Sequence, residues 1–276
     1  MDAKDLPDWE AFLAEIQSLR EKYSTPSRPL LFRGQSSSEF RLETTLERAG
    51  CEGMTFESYY FLVNRTGPAV ETFTGVKWEA ADYNLDIATL FRERDLFVSV
   101  PYRFPSVELY RYLVYLRHHG FPSPLLDWSR SPFVAAFFAF RDLVSRPNTE
   151  KPAKRSIYVY CEMPHGHKGG AIGAPAMRPI GAFVRSHPRH FRQQSDYTIC
   201  GGFDETIGWK FHPHESVLGS RGDKQDVLWK FNLPSSEWIE VLGQLGDYNL
   251  NAFSLFDSEE ALLETMWFQN FVMRRG

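Results

Sequence analysis

Eight consecutive residues, Phe133 to Phe140, are all Phe, Val or Ala. Such a run offers no polar face to water, so it fits neither a surface helix nor a half-buried strand. It predicts a helix buried on every side, around which the remaining elements must be layered. Ser131-Pro132 marks its start. A serine oxygen can accept from the free N–H groups of the first turn, and proline is pre-shaped for the first helical position. The segment leading into this helix, Phe121 to Ser131, carries Pro122, Pro124 and a polar group at Asp127. This stretch reads as a Pro-punctuated turn presenting Asp127, Ser129 and Ser131. Polar groups held against a buried helix have their geometry set by it, which is where catalytic groups are commonly found.

A core of this kind needs apolar material. Of 276 residues, 43% are hydrophobic, with 23 Phe, 12 Tyr and 7 Trp, so a single large domain over residues 1–276 can be filled. The net charge of −4 provides no global attraction to nucleic acid or anionic membrane. No stretch approaches the roughly 18 apolar residues of a membrane span, and the polar N-terminus has no leader-like apolar segment, so no membrane is expected and the location is expected to be cytoplasmic. Three cysteines (Cys51, Cys161, Cys200) with no CxxC spacing argue against disulfide scaffolds and cysteine-bound zinc. His165-Gly-His167 and His212-Pro-His214 lack the helical or cysteine-paired spacing of zinc ligands, so no metal is expected.

Along the chain, Trp9, Phe12, Leu13, Ile16 and Leu19 predict an amphipathic N-terminal helix within residues 1–27. Leu30-Leu31-Phe32 then predicts a buried strand ending in Arg33-Gly34. Helices are predicted near 56–65, 83–94 and 106–118, and strands at 157–161, 197–200 and 227–233. Trp238 to Leu245 predicts a helix stopped by Gly246, and a final helix is expected to start at Asp257. Helices dominate early and strands later, which points to an α+β fold: a helix-rich N-terminal part packed on a mixed sheet.

Three features could carry chemistry. Arg33, at a strand tip beside Gly34 and Gln35, can fork onto a phosphate approaching the backbone, or pair with a core carboxylate. The window Met163–Ser195 contains no Asp or Glu but holds Lys168, Arg178, Arg185, Arg189 and Arg192, with Phe183 and Phe191 interleaved. It is either a solvated basic loop or a polyanion contact, for which Arg178, Arg185, Arg192 and Phe191 are the candidates. His118-His119, at a helix C-terminus, suits either a dipole-compatible cap or a base.

Phe32-Arg33-Gly34-Gln35 and the block from His118 to Ala135 resemble the FRG domain family. That family's second motif has the form H-x-G-x-P-T-R-L-L-D-W-T-x-S-P-x-x-A. A third block, Arg189 to Tyr197, is similar to the family's R-x-x-x-Q-Q-G-x-F, and Asn249-Leu250 before Leu255-Phe256-Asp257 resembles a fourth. Together the matching core spans residues 28–262. Two departures stand out: Ser123-Pro124 replaces Thr-Arg, removing a positive charge, and Ser195 replaces a glycine.

More distantly, the block order is similar to ADP-ribosyltransferases of the Arg-Ser-Glu kind. That likeness implies a split sheet and NAD as substrate. Arg33, Gly34, Gln35, His119 and Arg189 would hold the NAD, while Ser129 or Ser131 would orient a carboxylate. The third motif becomes Gln194-Ser195-Asp196, with an aspartate one methylene shorter than the usual glutamate, and Asp127 is the reserve acid. The FRG resemblance also implies a toxin or phage-defence setting, with a possible antitoxin partner. The basic window favours a macromolecular acceptor, RNA or DNA. The alternatives are a non-catalytic module binding nucleic acid or protein, and a metal-independent nuclease using Asp127 and His119.

Overall fold

The computed structural model describes residues 3–26, 28–78, 87–96, 104–145, 151–164, 171–182, 184, 188–220 and 226–273. In chain order the N-terminal half runs β1 (Ala3–Asp5), α1 (Trp9–Tyr23), β2 (Leu31–Gln35), α2 (Thr45–Arg48), α3 (Phe56–Thr74), α4 (Ile87–Leu90), α5 (Val107–His118), β3 (Leu126–Ser129), α6 (Pro132–Phe140) and α7 (Asp142–Ser145). The remainder is β4 (Lys154–Glu162), β5 (Ala176–Pro179), α8 (Pro188–Arg192), β6 (Ser195–Asp204), β7 (Gly208–Phe211), α9 (His214–Ser220), β8 (Asp226–Pro234), α10 (Trp238–Asp247), α11 (Ala252–Phe256) and α12 (Glu259–Trp267). The fold is α+β, built on one mixed sheet in the order β1-β8-β4-β2-β3-β6-β5, with β7 also pairing β6 outside this path. The β1–β8 pair is parallel; the other pairings are antiparallel.

The apolar run forms α6, with Ser131 as its cap and Pro132 at its first turn. Phe133 and Phe138 are only half-buried, because the helix packs on the sheet from one side and leaves these two rings toward its edges. Helix α6 lies on β2 so closely that Gly34 is the only residue type the contact admits. A Cβ there would sit 1.8 Å from the Ala135 carbonyl oxygen and 2.7 Å from the Ala139 nitrogen. Around α6, the rings of Trp9, Phe12 and Phe231 and the side chains of Val241 and Leu245 build one core. A second core places Phe56, Tyr59 and Leu113 against Trp209 and Phe211.

The sheet is nearly divided. Strands β2 and β4 pair through five register positions and β3 and β6 through four, but β2 and β3 meet only at Phe32 and Ser129. Beyond that pair the two strands splay apart.

Several elements differ from the expectations. Residues 126–129 are a strand rather than part of a turn, because β6 pairs with all four and Leu126 and Trp128 alternate into the core. Helix α3 continues well past residue 65 and through Pro68. Gly246 does not stop α10, which ends one residue later; the left-handed Asn249 (φ 56°) then turns the chain. Asp257 is left-handed (φ 51°) and closes α11, so the side-chain cap of α12 is Ser258 instead. Strand β1 was not foreseen; its three residues are all exposed, so no burial pattern marks it. Of the helix expected over 83–94, residues 83–86 lie outside the described residues.

Replacing Gly34 with alanine should cost about 3 kcal/mol, since the backbone of α6 must move to admit one methyl group. Urea unfolding of Gly34→Ala against the parent checks this. A midpoint unchanged within error would mean that α6 does not bear on β2 this tightly.

Candidate functional site

The splay between β2 and β3 opens a cleft of about 740 Å³. Strand alternation decides what faces it. On β6, Ser195 and Tyr197 line the cleft, while Asp196 between them does not. Helix α5 contributes Arg117 and His118 at its C-terminal end, and α8 contributes Arg189.

Asp127 lies at the centre of the charge arrangement. The Arg33 guanidinium donates to the Asp127 backbone carbonyl at 2.8 Å and also to its carboxylate Oδ1, to which Arg117 donates as well. Arg117 is steadied by Thr45, whose hydroxyl oxygen is 3.3 Å away and also accepts from the Ser123 N–H at 2.9 Å. Burial alone would raise the Asp127 carboxyl, but Arg117 and Arg33 outweigh it and hold the group well below the usual carboxylate range. Burial pulls the Arg33 guanidinium down from its ordinary value, and Asp127 pulls it back. The Asp127 side chain remains 47% exposed to the cleft, whereas that of Arg33 is 13% exposed.

Five arginines line the cleft (33, 41, 48, 117 and 189) against two carboxylates, Glu43 and Asp127. In a chain of net charge −4 this is a local cationic pocket. Arg41 is drawn to Glu43 and Glu215, while the Arg48 guanidinium has no hydrogen-bond or ion-pair partner among the described residues. Two further polar atoms on the β2 wall, Arg33 Nε and Gln35 Oε1, are buried with no hydrogen-bond partner among the described residues. Orphaned buried polar atoms are costly, so their presence on one wall suits a ligand carrying both acceptors and donors.

The residues singled out from sequence separate into two groups. Arg33, Gly34, Gln35, Asp127, Ser129 and Arg189 all line the cleft. Ser129 is also a tie, donating to the Gln193 carbonyl at 2.8 Å and accepting from the Ser131 N–H at 3.0 Å. Ser131, Gln194 and Asp196 do not line it. Ser131 caps α6. Gln194 is left-handed (φ 48°), and its carbonyl accepts from the Arg130 N–H at 3.0 Å. Asp196 is 3% exposed, forked by Arg130 at 2.8 and 3.1 Å, and accepts from the Tyr197 N–H at 2.8 Å. His119 is exposed and packs against the Tyr115 ring in a tilted contact, centroids 4.2 Å apart, and does not line the cleft. Arg178 sits on β5, and Arg192 pairs with Asp257 at 2.7 Å. Phe191 is 65% exposed on α8. Arg185, Phe183 and Lys168 lie outside the described residues.

The cleft also contains residues not singled out. His118, rather than His119, reaches it, and its Nε2 is 3.0 Å from the Tyr197 hydroxyl. That hydroxyl is 3.5 Å from His190 Nδ1, and His190 Nε2 lies 2.9 Å from the Ala182 carbonyl. A carbonyl only accepts, so His190 carries a proton on Nε2. The first position of the H-x-G block was the available signal for His118. Nothing in the sequence distinguished Arg117, Arg48 or Thr45 from other surface residues.

Residues 28–147 match the family model of the FRG domain. That segment is similar to the FRG domain. No curated protein and no solved structure matches the chain. The match spans β2 through α7, and so includes the Arg33 and Asp127 walls of the cleft. The wall formed by α8 and β6 lies outside the matched residues and is joined to them through the pairing of β3 with β6.

The depressed Asp127 carboxyl has a definite pH signature. A carboxyl lowered on folding contributes stability above its unfolded value, and that stability is lost as pH falls through the folded value. The contribution is complete above about pH 5 and fades below about pH 4. Asp127→Asn should therefore be less stable than the parent at neutral pH, with the gap narrowing steadily as pH falls below about 4. Urea midpoints across that range measure it. A gap independent of pH would rule out the charge pairing as its source.

Proposed function

We propose that this protein is an NAD-dependent ADP-ribosyltransferase, acting on a macromolecule as a toxin or defence effector. The observation that carries the reading is the convergence of three sequence blocks, from β2, β3 and α8–β6, on one cationic cleft containing an ionised carboxylate. Its volume is within the range of small-molecule sites. An NAD pyrophosphate suits Arg33, Arg48 and Arg189. Ribose hydroxyls suit the unpartnered Gln35 Oε1 and the carboxylate of Asp127. Breaking the bond between nicotinamide and ribose C1′ builds positive charge on the sugar, which a fixed carboxylate stabilises more in the transition state than in the ground state. Asp127 is the residue for this role, since Asp196 is committed to Arg130. The acceptor's nucleophilic atom forms the new bond to C1′ as nicotinamide departs, and its proton passes to a base or to water.

For the acceptor, the reading favours nucleic acid, RNA or DNA. Phe191 is exposed beside Arg189 on α8, giving an unpaired base a ring to stack on next to the cleft. An antitoxin protein that covers the cleft would be a natural partner for such an activity.

Incubating the purified protein with labelled NAD and cell extract tests the reading. Nicotinamide release and a labelled macromolecule are expected, reduced roughly 100-fold by Asp127→Asn. Arg48→Ala, on an exposed side chain, should weaken NAD binding without disturbing the fold. Asp196→Asn should lower stability more than it lowers turnover in the surviving folded fraction. No nicotinamide release and no label from a protein that melts cooperatively would overturn the assignment.

If label appears, digestion identifies the acceptor. Loss of label on RNase or DNase treatment is expected, and loss on protease treatment alone would replace nucleic acid with protein.

A further inference from the structure

The C-terminal helical layer has a composition unlike the rest of the chain. Residues 237–273 contain seven carboxylates and no Lys, Arg or His. Two of these carboxylates are neutralised from outside the layer, Glu264 by Arg141 and Asp257 by Arg192, both at 2.7 Å. Lys151 lies over the Trp238 ring at one end. Glu240, Asp247, Glu259 and Glu260 form no ion pair among the described residues.

The same layer is rich in exposed apolar side chains. Leu263 is 66% exposed, Phe271 53%, Met266 47% and Trp267 45%, on α12 and the π-helical turn that follows it (Phe268–Val272). None of these four side chains lines the groove between α10 and α12, so they lie beside it and are not part of its wall.

Between α10 and α12 lies a groove of about 160 Å³, with Phe137, Val144, Leu242 and Phe268 among its lining residues. Asp247 also lines it, as does the already paired Glu264. The space exists because α10 carries glycines at 243 and 246. Met273 covers the first, where a Cβ would meet its Cε at 3.0 Å; at Gly246 a Cβ would meet nothing within 4 Å. An apolar groove lined in part by carboxylate, within an acidic layer, is complementary to one class of ligand. That ligand presents an apolar anchor flanked by lysine or arginine.

We propose that the α10–α12 groove is a docking site for a basic amphipathic helix of a partner protein. The helix would insert one apolar side chain over Gly246 and set a cation against Asp247, which lines the groove. The negative layer repels nucleic acid and anionic lipid, which separates this surface from the cationic cleft.

The test uses the full chain and four fluorescent synthetic probes. These are a leucine–lysine peptide with apolar residues at i, i+3, i+4 and i+7, the same composition scrambled to destroy the apolar face, oligolysine, and a leucine–glutamate peptide of the first pattern. Saturable binding of the patterned leucine–lysine peptide is expected, weakened by salt, with the other three at least about tenfold weaker. Gly246→Leu fills the groove at a position where a helix gains from losing glycine, so the fold is kept while binding should fall about tenfold or more. Asp247→Lys should act in the same direction. Absence of binding by the patterned peptide would overturn the proposal. So would equal binding of the scrambled peptide or oligolysine, or equal binding by Gly246→Leu. Sedimentation velocity provides the last arm: a dimer dispersed by Gly246→Leu would mean that a second copy, not a basic partner, covers the groove.

Discussion

The contact between Asp127 and the two arginines, Arg33 and Arg117, is the constraint on which the site depends. The sheet nearly separates between β2 and β3, with one register pair holding the backbones together. Past that pair, the Arg33 side chain crosses the gap to the Asp127 carbonyl and carboxylate. The cleft is thereby spanned by a charge-assisted contact where a ladder of backbone bonds would otherwise close it. Two cations are held near each other because a carboxylate lies between them, and the carboxylate stays ionised because they do. An anionic ligand would enter a pocket whose cations are already in position and whose own negative charge is concentrated at Asp127 and Glu43.

The scaffold behind this arrangement is α6. Its backbone rests on Gly34, so the strand carrying Arg33 is pressed directly against the helix. Ser131 caps that helix, and its N–H donates to Ser129 Oγ, which in turn donates to the Gln193 carbonyl. Through this short chain the helix start, β3 and the turn after α8 are tied together. Serines that looked like candidates for chemistry thus act at least as much as fasteners.

Much of this was legible in the sequence where local rules are strong. The cap at Ser131-Pro132, the apolar α6, the Ser106 cap of α5 and the alternation of β8 all follow from periodicity and capping chemistry. The cleft residues Arg33, Asp127, Ser129 and Arg189 were reachable from their motifs. The misplaced parts have identifiable causes. Residues 126–129 resemble a turn because of the flanking prolines, and only β6 makes them a strand. His118 and His119 are adjacent on a helix end, and the α5 packing alone decides which faces the cleft.

The sequence by itself determined that a wholly apolar helix would be buried, that it would begin at a Ser-Pro cap, and that polar blocks would surround it. These follow from hydrophobic burial and from hydrogen bonds spanning three or four residues. Only the tertiary structure decided which carboxylate faces which cation. Asp196 and Asp127 were both candidates, and strand pairing turned the first into the grip of Arg130 and the second into the cleft between Arg33 and Arg117. Side-chain direction on a strand depends on register, and register is set by partners distant in the chain.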